Sequence, residues 1–122
     1  MKTSPIRVEK PWGYALIWAS TAEYVGKILH VEAGETLSLQ FHERKVETMH
    51  VHSGRVRLDV GESAEQLESV FLDAGEGYHL PAGLIHRLEA LETADVLEAS
   101  TPHLDDLVRL EDRYGRMSDD GA

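Results

Sequence analysis

The stretch Gly34–Gly54, GETLSLQFHERKVETMHVHSG, carries three potential metal ligands that a β-hairpin would bring together. Residues two apart on a strand point to the same face, so Gln40 and His42 present an amide oxygen and an imidazole side by side. The residues between His42 and Glu47 are mostly charged, which favours a reversal of the chain. We therefore expect a hairpin that places Glu47 opposite His42, in a second strand that ends at 53–54.

A second stretch, residues 75–86 with the sequence GEGYHLPAGLIH, supplies a fourth ligand candidate. A strand enters the turn Pro81-Ala82-Gly83, and this turn fixes where His86 lies on the strand that follows. Each of the four candidates by itself has an ordinary explanation as a solvated strand or turn residue. Taken singly, that ordinary explanation is the more frequent one for each of them.

Composition limits the classes of partner. At 122 residues the chain is long enough for one domain, 1–122, and too short for a second. Its 12 basic and 22 acidic residues give a net charge of −10, which repels nucleic acid and anionic membranes. A phosphorylated small molecule is still a possible partner, because a local basic cluster or a bound metal overrides the field of the protein's net charge inside a cleft.

The cellular location is predicted from features that the sequence lacks. There is no cysteine, so disulfides and thiolate ligands are ruled out, as suits a reducing compartment. The sequence shows neither a signal peptide nor a long apolar run. We expect a soluble, cytoplasmic protein.

The distribution of strand and turn signals predicts an all-β fold. Eight or nine short strands with near-even turn signals are typical of a sandwich or small barrel of the jelly-roll type. We expect an N-terminal arm over 1–24, a barrel core over 25–101, and a tail over 102–122 that is either a short helix or extended. The arm holds two tryptophans whose apolar area needs a covering surface, on the barrel or on another subunit, so we predict a homodimer.

The two stretches resemble the two-part signature of the cupin superfamily, with motifs over 34–54 and 75–90 and Gln40 in place of the first histidine of the usual His-x-His pair. More closely, the chain looks like the C-terminal cupin region of type II mannose-6-phosphate isomerases. This resemblance implies a single cupin β-barrel and covers almost the whole chain. It rests on residues 10–14, 37–42 with Glu47, 79–89 and 105–116.

The resemblance also implies roles for individual residues. The family's strand lysine falls on Lys27 and its tail arginine on Arg109, while Lys45 and Met49 stand where the family often has Arg and Trp. Two imidazoles, a carboxylate and an amide oxygen suit a divalent Zn, Mn, Fe, Co or Ni ion. The metal ligands implied are Gln40, His42, Glu47 and His86.

The candidates for catalysis are Lys27, His79 and Arg109. Lys27 either faces the cavity with Leu29 or is a solvated lysine, because the strand register is open. Lys27 and His79 are candidates to move a proton, and Arg109 to hold a phosphate or hydroxyl oxygen. The ordinary alternatives are a strand histidine for His79 and a surface ion pair with Asp105 or Asp112 for Arg109.

The leading function is metal-dependent aldose–ketose isomerisation through an enediolate, with a sugar or sugar phosphate as substrate. Two histidines and a carboxylate also describe an Fe(II)-dependent dioxygenase. A third alternative is a carbohydrate-binding cupin without catalysis.

Overall fold

The computed structural model describes residues 1–116, which form nine β-strands and no helix. Of the two alternatives for the tail, the extended one is therefore correct over β9, while residues 117–122 of the predicted tail lie outside the described residues. No helix in this part of the chain has the length and hydropathy needed to cross a membrane. The strands are β1 (Ile6–Lys10), β2 (Gly13–Ser20), β3 (Val25–Val31), β4 (Leu39–Phe41), β5 (Glu47–Ser63), β6 (Gln66–Asp73), β7 (Gly77–Leu80), β8 (Ile85–Ser100) and β9 (Val108–Glu111).

All pairings between these strands are antiparallel, and together they form one curled sheet. Its main path runs β1-β2-β3-β8-β4-β9, while β5 pairs with β8 and also with β6 and β7. The two long strands, β5 and β8, lie side by side along most of their length. This arrangement confirms the predicted all-β fold.

The strand pairing around residues 34–54 differs from the predicted hairpin. β4 pairs with β8 and β9 and not with β5, so the hairpin prediction is wrong. The predicted strand end at 53–54 is also wrong, because β5 continues to Ser63. Gly54 has a φ of 84°, and the pairing with β8 shifts register around it, so the backbone bends through irregularities instead of stopping. A side chain at Gly54 would lie 2.3 Å from the Thr93 carbonyl oxygen, which explains the glycine.

The interior contains one large apolar cluster, and polar side chains are buried as well. Trp12, at the β1–β2 turn, is fully buried in the core, whereas Trp18 is 54% exposed. One of the two arm tryptophans is therefore covered by its own barrel. Other members of the core are Leu29, Val31, Leu37, Met49, Val51, Val56, Leu58, Leu80, Leu88, Ala90 and Val96.

Outside the barrel, His30 gives the fold a pH-dependent contact. Its Nδ1 lies 2.7 Å from Asp95 Oδ1 and its Nε2 lies 3.1 Å from Glu32 Oε1, and its ring stacks on Tyr14. The hydrogen bond to Asp95, above all, raises the pKa of His30. Because the folded value exceeds the unfolded one, this stabilisation is complete below about pH 6.5 and disappears as the pH rises through the folded pKa.

We expect His30→Gln to lower the free energy of unfolding by roughly 0.5–1 kcal/mol at pH 5.5, and by less at pH 9. Urea denaturation of the metal-free protein at the two pH values measures the difference. Asp95→Asn should show the same trend. A loss that is equal at both pH values would mean that stacking on Tyr14, and not the charge, is what His30 contributes.

Candidate metal centre

Three predicted ligands from distant parts of the chain meet inside the barrel. His42 follows β4, Glu47 begins β5 and His86 lies near the start of β8, and all three are buried. Their ligand atoms lie within 4.8 Å of one another. His42 Nε2 lies 3.6 Å from Glu47 Oε1, and His86 Nε2 lies 3.3 Å from the same oxygen. This is the one group of three or more His, Asp or Glu residues with metal-binding spacing among residues 1–116.

Backbone carbonyls fix the orientation of both imidazoles. His42 Nδ1 donates to the Asp106 carbonyl oxygen, and His86 Nδ1 donates to the Leu84 carbonyl oxygen at 2.9 Å. With Nδ1 as donor, the neutral ring directs the Nε2 lone pair toward Glu47, as a metal-ligating histidine requires.

The donor set fits a divalent cation. Within the described residues, the buried His86 Nε2 has no hydrogen-bond partner, although it faces a carboxylate oxygen. Burial alone would raise the pKa of Glu47, but the two imidazoles and the Lys45 ammonium outweigh burial and hold this pKa well below its usual range. When both Nε2 atoms present lone pairs, as ligation of a metal requires, these lone pairs and the ionised carboxylate repel one another unless a cation lies between them.

Gln40, the fourth predicted ligand, lies beside this group. It is the Cα partner of His86 in the β4–β8 pairing, so both side chains point to the same face. Gln40 is 2% exposed, and its Oε1 accepts a hydrogen bond from Ser38 Oγ at 3.3 Å. That Gln40 contributes a ligand oxygen stays a prediction.

Asp106, in the predicted tail, organises the loop between His42 and Glu47. Its Oδ1 accepts a hydrogen bond from the Glu43 N–H, and its Oδ2 accepts bonds from the N–H groups of Arg44 and Lys45, at 2.6–2.9 Å. These bonds outweigh burial and lower the pKa of Asp106 to about 2. One residue thus holds both the loop, through its side chain, and His42, through its carbonyl.

We expect Asp106→Ala to cost about 1–3 kcal/mol of stability, because three backbone donors lose their acceptor. Cation affinity should fall by roughly tenfold, since the loop that carries His42 loosens. Denaturation and calorimetric titration with Mn²⁺ measure the two effects. Asp105→Ala, one residue away and exposed, is the matched control and should change neither.

Sequence reasoning missed Glu98, which is 6% exposed inside the barrel. Lys45 Nζ lies 3.2 Å from Glu98 Oε1 and 3.2 Å from Glu47 Oε2, so a buried lysine bridges two carboxylates. Burial and the neighbouring Glu47 raise the pKa of Glu98. The alternation of strand residues could have predicted its position. Val96 is an apolar residue expected in the core, and Glu98, two residues later, points to the same face.

The structure shows to which side of the sheet the Lys27 side chain points. This residue is the Cα partner of Glu98 in the β3–β8 pairing, so it faces the interior, and the solvated alternative is wrong. Burial, more than any neighbouring charge, lowers the pKa of Lys27. A half-buried amine beside a carboxylate is suited to exchange a proton.

His79 lies away from the site. It is the Cα partner of Thr48 on the outer face, where its Nδ1 lies 3.0 Å from Thr48 Oγ1, and the next residue, Leu80, is the inward one. The structure therefore does not bring His79 to the three buried ligands, since neighbouring residues on a strand face opposite ways.

Arg109 is buried, so the ordinary alternative is wrong in placing it at the surface, although its charge does interact with that of Asp112. It is the Cα partner of Gln40 in the β4–β9 pairing, so it shares the face of the candidate ligand. Its Nη1 donates to the Arg116 carbonyl oxygen at 3.1 Å, and Arg116 in turn pairs with Asp112. Arg109 therefore lies near the site, and its contact with substrate stays a prediction.

A family model described as "Mannose-6-phosphate isomerase C-terminal" matches residues 2–112. The xanthan biosynthesis protein XanB of Xanthomonas campestris is 34% identical over 90% of this chain and 24% of its own length. The mannose-1-phosphate guanylyltransferase ManC of Salmonella typhimurium is 32% identical over 90% of this chain and 23% of its own length. The chain thus spans about a quarter of the length of the curated relatives it matches.

Solved structures agree on the fold. KdgF from Halomonas sp. superposes with a TM-score of 0.71 at 22% identity, covering 84% of this chain and 89% of that one. Oxalate decarboxylase from Bacillus subtilis gives a TM-score of 0.74 at 16% identity, covering 87% of this chain and 30% of that one. At such identities the likeness concerns the fold alone. The match over residues 2–112 and the barrel it folds into lead to one conclusion: the chain belongs to the mannose-6-phosphate isomerase C-terminal family of cupins.

Proposed function

We propose that this chain is a metal-dependent isomerase that interconverts an aldose and a ketose, with a sugar or sugar phosphate as substrate. The family match and the names of sugar-phosphate enzymes among the relatives support the substrate class. The observation that carries the proposal is the meeting of two imidazole nitrogens, each freed by a backbone hydrogen bond, with a buried carboxylate.

His42, Glu47 and His86 would hold the cation, with Gln40 beside them. A divalent cation bound there would polarise the sugar carbonyl and stabilise charge that develops on its oxygen. Burial of all three side chains excludes water from the group and strengthens each electrostatic contact.

Lys27 is our candidate to move the proton between the two adjacent carbons of an open-chain sugar. It faces the interior beside Glu98, and its lowered pKa makes the neutral amine more accessible than in an exposed lysine. Arg109, buried on the face of Gln40, is our candidate for a phosphate or hydroxyl oxygen, because guanidinium binds such groups bidentately.

The test uses the purified chain loaded separately with Mn²⁺, Fe²⁺, Co²⁺, Ni²⁺ or Zn²⁺. Mannose 6-phosphate, other aldose phosphates and free aldoses are incubated in D₂O and followed by NMR. Isomerisation should yield the ketose, with the proton that the base removes from C2 of the aldose delivered to C1, and with deuterium at C1 wherever that proton exchanges with the solvent before delivery.

A matched pair of variants separates the site from the outer surface. His86→Gln should abolish turnover, while His79→Gln, on the outer face, should leave turnover intact. Oxygen uptake by the Fe²⁺ form without isomerisation would identify a dioxygenase instead. Tight saccharide binding without turnover under any metal would identify a binding module, and either outcome would end the isomerase proposal.

A further inference from the structure

The strand β1 leaves one of its edges open. β2 covers one side of β1, and no strand among the described residues covers the other. None of the five β1 residues is buried. An edge strand with unpaired backbone donors and acceptors is a template for pairing with another strand.

We propose that β1 pairs with β1 of a second copy of this chain, antiparallel, about a two-fold axis at Val8. The sequence Ile6-Arg7-Val8-Glu9-Lys10 is self-complementary in that register. Arg7 lies opposite the partner's Glu9, and Glu9 lies opposite the partner's Arg7. Facing pairs of opposite charge stabilise an antiparallel pair, and a two-fold axis supplies them twice.

Other registers are disfavoured by charge and by the prolines. A slip of two residues one way sets Arg7 against the partner's Arg7, and the other way sets Glu9 against the partner's Glu9. A slip of one residue places the inner face of one copy beside the outer face of the other. Pro5 and Pro11 bound the strand and lack N–H groups, and centring on Val8 keeps them opposite each other at its ends.

The backbone groups available on β1 suit this register. Lys10 and Gly13 flank a two-residue turn and are Cα partners, so Lys10 exchanges backbone hydrogen bonds with β2. Hydrogen-bonded positions alternate along an antiparallel pair, so Val8 does the same. Arg7 and Glu9 therefore direct their N–H and C=O groups to the open edge. These are the residues that the proposed register sets face to face.

The side chains support the pairing on both faces. On the outer face, Arg7 Nε already lies 2.6 Å from Glu9 Oε1, so two copies would form a network of four alternating charges. On the inner face, Val8 is the Cα partner of the buried Ala15 but is 37% exposed, because no strand follows. Contact between Val8 and the partner's Val8 would cover this end of the core.

The test is sedimentation equilibrium of the full chain at 1–100 µM. Wild type should have twice the 13.6 kDa chain mass. Arg7→Glu and Glu9→Arg should each raise the dimer dissociation constant at least about tenfold, because each sets like charges opposite one another. A 1:1 mixture of the two variants should form a heterodimer of near wild-type affinity, since the charges then complement each other across the axis.

Glu65→Arg, in the exposed β5–β6 turn, is the control and should leave the mass unchanged. Circular dichroism checks that each variant is folded. The proposal is overturned by a monomeric wild type, by an Arg7→Glu variant that dimerises as well as wild type, or by a mixture that stays weak. None of these outcomes bears on the isomerase proposal, which is tested by turnover.

Discussion

We expect Glu47→Gln to lower the affinity for divalent cations by at least about a hundredfold. Glu47 supplies the one carboxylate in the group of candidate ligands, at 3.6 Å and 3.3 Å from the two imidazole nitrogens. Glutamine keeps the volume and removes the charge, and in a buried site the charge contributes most of the attraction. Titration calorimetry with Mn²⁺ or Zn²⁺ measures the loss directly.

Thermal denaturation gives an independent measure of the same change. A ligand at a thousand times its dissociation constant stabilises the folded state by about 4 kcal/mol, so metal should raise the melting temperature of wild type strongly and that of Glu47→Gln little. Glu92→Gln, exposed on β8, is the matched control and should behave as wild type. Equal metal-induced shifts in wild type and Glu47→Gln would place the cation elsewhere and remove the basis of the proposed function.

Local periodicity was enough to predict which faces of the strands meet. The alternation of strand residues placed Gln40 and His42 on one face, and both are buried. The same rule, applied to the apolar Leu80, would have placed His79 on the opposite face of its strand. Local signals predicted the all-β fold, and the candidate ligands came from these signals together with the family resemblance.

Strand pairing was beyond local signals, because it depends on contacts distant in sequence. β4 is too short to dictate a partner, and it pairs with β8 and β9, so the loop before Glu47 is held by Asp106 and not by a hairpin. The importance of Glu98 was also hidden, since it arises from Lys45, over fifty residues away in the sequence. The sequence signal available for Glu98 was a charged residue at a position that the alternation assigns to the core.

We expect Lys45→Met to lower the free energy of unfolding of the metal-free protein by about 3–5 kcal/mol. Lys45 is 5% exposed and lies 3.2 Å from an oxygen of each of Glu47 and Glu98. Burial alone would lower the pKa of Lys45, but the two carboxylates outweigh burial and raise it to about 12, so the lysine stays charged. Methionine fills similar space but leaves two buried carboxylates without their cation.

A double-mutant cycle tests whether this cost comes from charge or from packing. Glu98→Gln should cost less than Lys45→Met, because Lys45 keeps Glu47 as a partner. Adding Glu98→Gln to Lys45→Met should recover part of the loss, because one of the two facing carboxylates is then neutral. Arg44→Met, the exposed neighbour in the same loop, should change stability by less than about 0.5 kcal/mol. If the effects of Lys45→Met and Glu98→Gln simply add, the two side chains act independently, and the buried charge network does not hold this end of the barrel together.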